Sequence, residues 1–110
     1  MLDPRVVAVL EEGLHDREAD VKWNAALQLA RRGSTSGELV LGQMMHRPYL
    51  DSLPDVTEDQ KVTAIVYAIH AAGALKIDVF KSLITTLKTD DPSMKVRQAA
   101  IEALEAWEQP

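Results

Sequence analysis

Asp16-Arg17-Glu18-Ala19-Asp20-Val21-Lys22-Trp23-Asn24-Ala25-Ala26-Leu27-Gln28-Leu29 aligns without a gap on Asp91-Pro92-Ser93-Met94-Lys95-Val96-Arg97-Gln98-Ala99-Ala100-Ile101-Glu102-Ala103-Leu104, 75 residues later. Each stretch opens on an acidic turn residue and passes through Val-Lys or Val-Arg to Ala-Ala, its apolar positions recurring three or four apart. That spacing places them on one face of an α-helix. The segments just upstream match as well: Val6, Val7, Leu10 and Leu14 pair with Val79, Phe80, Leu83 and Leu87 at an offset of 73. Between them lies a weaker copy, in which Thr57, Val62, Val66 and His70 stand opposite Asp16, Val21, Ala25 and Leu29. Three helical hairpins in 110 residues give a period of about 37, in the range of α-solenoid repeats.

Six helices are bracketed from their end signals. Asp3-Pro4 supplies a cap and a helix-compatible proline for a helix over about 4–14. The next runs from about Glu18 to Arg32 and ends at Gly33, where a left-handed glycine belongs. Ser36 is expected to cap a short helix reaching about Met45, and His46 to Val56, with Pro48 and Pro54, forms a long connector. Thr57-Glu58-Asp59-Gln60 is a capping box that opens a helix to about Leu75. The last two helices cover about 78–88 and, from Asp91-Pro92, about 91–108. No strand signal competes, since period-2 alternation and Asn-Gly or Asp-Gly turns are lacking.

The second helices of the three hairpins differ in which sides are apolar. In the first, Trp23, Leu27 and Ala30 are apolar where the third has Gln98, Glu102 and Glu105; Asn24, Gln28 and Arg31 face the reverse exchange with Ala99, Ala103 and Ala106. The middle helix is apolar on both sets, with Ala64, Ala68, Ala71 on one and Ile65, Ile69, Ala72 on the other. A helix apolar nearly all round is buried between neighbours, and a terminal solenoid repeat needs a polar outer face. The middle helix is therefore expected between the other two, with the array capped at both ends and complete at three repeats. An ordinary six-helix bundle is the alternative.

Asp followed by Val-Lys/Arg, Ala-Ala and Leu resembles the second half of a HEAT repeat, of the short bacterial type also found in phycobilin-lyase-like proteins. The resemblance covers nearly the whole chain. It implies an all-α superhelix of three HEAT-like hairpins, with repeats over about 3–33, 36–75 and 77–108, forming a single domain. It also implies a ladder between neighbouring repeats, formed by the turn Asp and the basic residue six positions on: Asp16 with Lys22, and Asp91 with Arg97. Thr57 and Thr63 occupy those positions in the middle repeat and break the ladder there.

Composition narrows the function classes. Twelve Lys plus Arg against 17 Asp plus Glu give a net charge of −5, which repels phosphate. Lys22, Arg31 and Arg32 are the compact basic group, and the basic, aromatic concave face used by HEAT-like DNA glycosylases is not visible. Zero cysteine excludes disulfides, thiolate metal sites and thiol nucleophiles, and fits a cytoplasmic setting. No leader and no membrane-length apolar run is present. His15, His46 and His70 lack ligand spacing, and no Gly-x-Ser-x-Gly or phosphate loop occurs. The expectation is no catalytic residue, no metal and no cofactor.

Surface then carries the functional expectation. The connector offers Arg47 and Tyr49, types enriched at interaction hot spots, while Leu50 and Leu53 are able to pin a one-turn helix on the core. The inner face of the second helices offers Asn24, Leu27, Gln28 and Arg31 with Ala68 and Ala72, suited to a partner helix or an extended peptide. Thr63, Tyr67 and His70 form a stripe at i, i+4 and i+7; they are expected as a hydrogen-bonded trio packed against the short helix that ends near Met45 and against the connector, or else as a polar binding pocket. The third candidate surface is an acidic edge of Asp16, Asp20, Glu58, Asp59, Asp90 and Asp91, although helix dipoles alone also favour acids at helix N-termini. The function expected is a non-enzymatic protein-binding scaffold, monomeric or weakly dimeric, with no nucleic-acid or membrane partner. An accessory subunit that recruits a substrate protein to a lyase or modification enzyme is the alternative, and a nucleic-acid enzyme on the same scaffold a distant one.

Overall fold

The helices begin and end where local chemistry fixes them. In the computed structural model, which describes residues 3–108, α1 spans Pro4–Gly13 and α2 Ala19–Arg31. The Asp3 carboxylate accepts the N–H of Arg5 at 2.9 Å, capping α1 ahead of its N1 proline. Gly33, at φ +77°, closes α2 by sending its N–H to Ala30 and letting that of Ser34 reach Leu29, both at 2.9 Å. These are the two bonds of a Schellman turn.

α3 is Glu38–Met44, and its expected cap is corrected. Gly37, not Ser36, occupies the N-cap, and it packs so closely on α2 that a Cβ there would stand 2.9 Å from Cα of Ala26. Ser36 instead donates to Glu11 at 2.6 Å, tying α1 to the turn before α3. The connector is not irregular: Arg47–Asp51 forms α4, with Pro48 in its first turn, so the described residues hold seven α-helices rather than six. Leu50 is fully buried beneath it. The helix is thus pinned through an apolar anchor, as the Leu50 and Leu53 spacing suggested.

α5, Glu58–Leu75, opens on the Thr57 capping box, with reciprocal bonds of 3.2 and 2.8 Å to Gln60. It ends on Lys76, which takes the left-handed conformation at φ 51° without being glycine. A 3-10 turn at Asp78–Phe80 leads into α6, Lys81–Asp90, and α7 spans Met94–Trp107. The two aligned turns share one local bond. Asp16 accepts the N–H of Glu18 at 2.9 Å and Asp91 that of Ser93 at 3.0 Å, each ahead of a helix start.

α1 packs on α2, α3 on both α2 and α5, and α6 on α7; α5 is covered by α2, α3, α4 and α7. The molecule is a slab of 41 × 39 × 18 Å, about two helix layers thick at the usual 8–10 Å spacing. Its centre is α5, whose Ala64, Ile65, Ala68, Ile69 and Ala72 are all buried. Ala71 is half-buried, so both apolar sides of this helix are covered, as its composition requires. Gln98, Glu102 and Glu105 of α7 are exposed, as expected of an outer face. On α2, Asn24 and Arg31 are exposed and Gln28 half-buried, while α1 buries no residue and Val6, Val9 and Val21 are exposed. With α2 as its main neighbour, α1 has too little partner surface to cover its valines.

Ile69→Asp is expected to cost several kcal/mol, because it places an unpaired carboxylate in the fully buried centre of the slab; a melting temperature equal to that of wild type would refute the central burial of α5. Lys76→Gly is expected to raise stability by about 0.5–1 kcal/mol, since glycine adopts the left-handed conformation without a Cβ penalty. Urea denaturation distinguishes this from a loss, which would mean that the lysine side chain stabilises the turn.

Candidate functional site

The connector residues come first, because the structure changes their role. Arg47 is not a free surface side chain. Its Nε and Nη2 donate to the two carboxylate oxygens of Asp91 at 3.1 and 3.0 Å, and Nη1 donates to both oxygens of Glu58 at 2.9 and 3.1 Å. Asp51 lies one turn on, 3.7 Å away. The Asp91 side chain is 0% exposed and that of Arg47 13%. Hydrogen bonds to Asp91, opposed by burial and reinforced by Glu58, hold the guanidinium protonated more firmly than an ordinary arginine. Arg47 therefore joins α4, α5 and the turn before α7.

This arrangement also corrects the expected ladder. The carboxylate of Asp16 caps its own turn, and Lys22 reaches across to donate to the Tyr49 hydroxyl at a long 3.4 Å. Arg97 donates to the backbone carbonyl of Asp91 at 2.8 Å rather than to a carboxylate of another hairpin. Arg47 links α4 and the start of α5 to the turn before α7 from outside the aligned helices. Sequence comparison of the repeats could not find it, because the connector has no counterpart in the other two copies.

The inner-face residues do come together. α2 and α5 border a groove of two adjoining hollows, of about 490 and 350 Å3, that share Asn24, Leu27 and Tyr67. The larger is lined by Gln28, Ala30 and Arg31 of α2 and by His70, Ala71 and Ala74 of α5. The smaller is lined by Asp20 and Trp23 of α2, by Asp59, Gln60, Thr63 and Ala64 of α5, and by Met44. The first halves of both helices meet in one hollow and their second halves in the other, so α2 and α5 run parallel along the groove.

Two expectations at this face are corrected. Ala68 and Ala72 are fully buried; they point into the core, on the side of α5 away from the groove, and offer no surface. Thr63, Tyr67 and His70 do not pack under the connector as a bonded trio. All three are exposed along the groove, and among the described residues no hydrogen bond links them. The physical reason is angular. Ile65, Ile69 and Ala72 take the side of α5 that faces the core, which turns the polar stripe outward. Of the six residues in the acidic edge, Asp91 is internal and Glu58 is held by Arg47, whereas Asp20 and Asp59 line the groove.

Trp23 adds a feature that its apolar role in the sequence concealed. Its side chain is buried, and Nε1 has no hydrogen-bond partner. A buried indole N–H normally finds an acceptor. Elsewhere, a third hollow of about 690 Å3 lies between α3 and the start of α6, lined by Leu39, Gly42, Tyr49, Val79, Phe80 and Leu83. Leu39 is 77% and Val79 63% exposed, an apolar opening that the helical patterns did not single out. His15 lies in the turn after α1 and His46 at the start of α4; among the described residues no three potential ligands form a metal-binding group. No helix there is long and apolar enough to cross a membrane. Comparison with protein-family models, curated proteins and solved structures found no match to this chain.

Arg47→Met is expected to destabilise the fold by about 3 kcal/mol, because it strands a buried carboxylate. Combined with Asp91→Asn in a double-mutant cycle, it is expected to show a coupling above about 1 kcal/mol. Additive losses in urea denaturation would mean that the two side chains do not act as a unit.

Proposed function

We propose that this chain is a non-enzymatic protein-binding module, built as a right-handed stack of three HEAT-like helical hairpins, whose docking site is the groove between α2 and α5. The observation that carries the reading is the make-up of that groove. An apolar floor of Leu27, Ala30, Ala64 and Ala71 is bordered by polar and amphipathic side chains from both helices: Asn24, Gln28 and Arg31 on one wall, Thr63, Tyr67 and His70 on the other. An apolar centre inside a polar rim is the usual anatomy of a protein interface. Small residues along α5 keep the floor open, and the length of the groove suits a helix or an extended segment.

Support for the repeat architecture comes from the paired turn bonds of Asp16 and Asp91 and from the packing of α5 between α2 and α7. Binding is the chemistry the groove offers.

The test is capture from a lysate of the source organism, read by mass spectrometry, with wild type beside two folded variants. Gln28→Ala with Tyr67→Ala truncates both walls of the groove, and Leu39→Ser with Val79→Ser alters the hollow beside α3. Retention of a specific partner by wild type and the second variant is expected, with about tenfold or greater loss in the first, since a central tyrosine commonly contributes 1 kcal/mol or more. A partner kept by the groove variant and lost by the other would overturn the groove as the docking site.

A further inference from the structure

We infer that the exposed side of α1 pairs antiparallel with α1 of a second copy of this chain, forming a weak two-fold dimer. α1 lies at one end of the helix array, packs mainly on α2 and buries no residue. Its Val7, Leu10 and Leu14 are half-buried, whereas Val6 and Val9 are exposed, Val9 at 67%. Gly13 follows Val9 by one turn and lies against α2: a Cβ there would stand 3.0 Å from that of Ala25 and 3.9 Å from Val21. With no side chain at Gly13, the strip of Val6 and Val9 continues onto exposed Val21 of α2. Exposed apolar side chains gathered in one strip and bordered by charge mark an interaction surface.

Spacing and charge identify the occupant. Val6, Val9 and Gly13 recur at three and four residues, the a, d, a spacing of a helix–helix seam. Arg5 and Glu12, both exposed, each precede an a position and so share one flank of that seam. The Arg5 side chain is 95% exposed, with Asp3 as its ionic neighbour at a long 3.9 Å. A two-fold axis through Val9, perpendicular to the helix, turns this flank onto the same flank of the second copy. Arg5, four residues before the axis, then meets Glu12 of the second copy, three residues after it. At 1.5 Å per residue these lie about 6 and 4.5 Å from the axis, a difference that an arginine side chain spans. Symmetry makes this pair twice, stacks Val9 on its own copy and lays Val6 over Gly13, where no side chain obstructs it. A parallel pairing would set Arg5 and Glu12 opposite the e position, Leu10, which is half-buried in its own molecule. The 10 residues of α1 extend about 15 Å, so two such helices bury less than the ~1,200 Å2 of a stable complex. The dimer is therefore concentration-dependent, with a dissociation constant in the micromolar to millimolar range.

The experiment is analytical ultracentrifugation of the full chain from micromolar to millimolar concentration. The weight-average mass is expected to rise with concentration from 12.2 kDa towards twice that value. Val9→Glu, at an exposed position, is expected to stay monomeric throughout with an unchanged melting temperature. Arg5→Glu and Glu12→Arg, each alone, are expected to weaken self-association at least fivefold, because each turns two attractive contacts into repulsive ones. Both substitutions follow the dipole preference of the helix ends, so each keeps α1 helical. An equimolar mixture of the two is expected to dimerise at least as tightly as wild type: one chain then carries acids at both positions and the other bases, so every contact across the axis is complementary. A wild-type chain that is monomeric at all concentrations, self-association that survives Val9→Glu, or a mixture no tighter than its components would each overturn the pairing. Loss of self-association in Leu39→Ser with Val79→Ser would overturn it as well, by placing the hollow beside α3 in the interface. None of the α1 variants touches the groove between α2 and α5, so the proposed docking site is tested separately.

Discussion

An 18-residue helix that is apolar on two sides has to be covered on both, and that constraint organises the molecule. Ile65 and Ile69 are each fully buried; burying such a side chain contributes about 1.5–3 kcal/mol, which exposure on a free surface would forfeit. α2, α3, α4 and α7 all pack on α5 to meet this demand. The same demand leaves a single free strip on α5 beyond its first turn, along Thr63, Tyr67, His70 and Ala74. The groove wall is therefore a by-product of where the core must be.

Coverage by apolar contact alone does not fix how the hairpins sit against one another, since small side chains such as alanine allow sliding. Arg47 supplies the directional restraint. Its fork on Asp91 and its second amino group on Glu58 set the position of α4 against the starts of α5 and α7 in one hydrogen-bonded unit. A buried ion pair contributes modest net stability once desolvation is counted, yet it penalises every register in which either charge lacks its partner. Its value here is in specifying one arrangement.

The legibility of the chain follows from which physical signal each feature carries. The helices of the aligned hairpins were readable because their apolar spacing and end residues, such as the Thr57 box and Gly33, act within a few positions. The burial of both sides of α5 was readable because composition around one helix reports its neighbours. α4 was suggested only through Leu50 and Leu53, since two prolines interrupt any period there. Arg47 to Asp91 was not readable: a contact across 44 residues leaves no local pattern. Asn24, Leu27, Gln28 and Arg31, grouped on one face in the sequence, line the same hollow in the structure. Ala68 and Ala72 were misplaced because alanine is compatible with both core and surface. The orphan indole of Trp23 follows from the positions of its neighbours, which no pattern of residue types encodes.

The groove also has a direction, and helix electrostatics explain why it arises without special design. α2 and α5 run parallel, so their acidic first turns lie at one end, and Arg31, in the last turn of α2, lies at the other. Acids near N-termini and bases near C-termini are favoured in a helix; parallel alignment gathers the acids of both first turns at one end of the surface, opposite Arg31. Asp20 and Arg31 are separated by 11 residues of α2, about 16 Å at 1.5 Å per residue. A partner helix obeying the same rule has its own acids first and bases last. It complements this charge separation when it lies antiparallel to α2 and α5, with its basic end over Asp20 and Asp59. The parallel orientation sets like charges together at both ends. A helix docked in the groove under the proposed reading would thus be oriented by the same dipole preferences that stabilise α2 and α5.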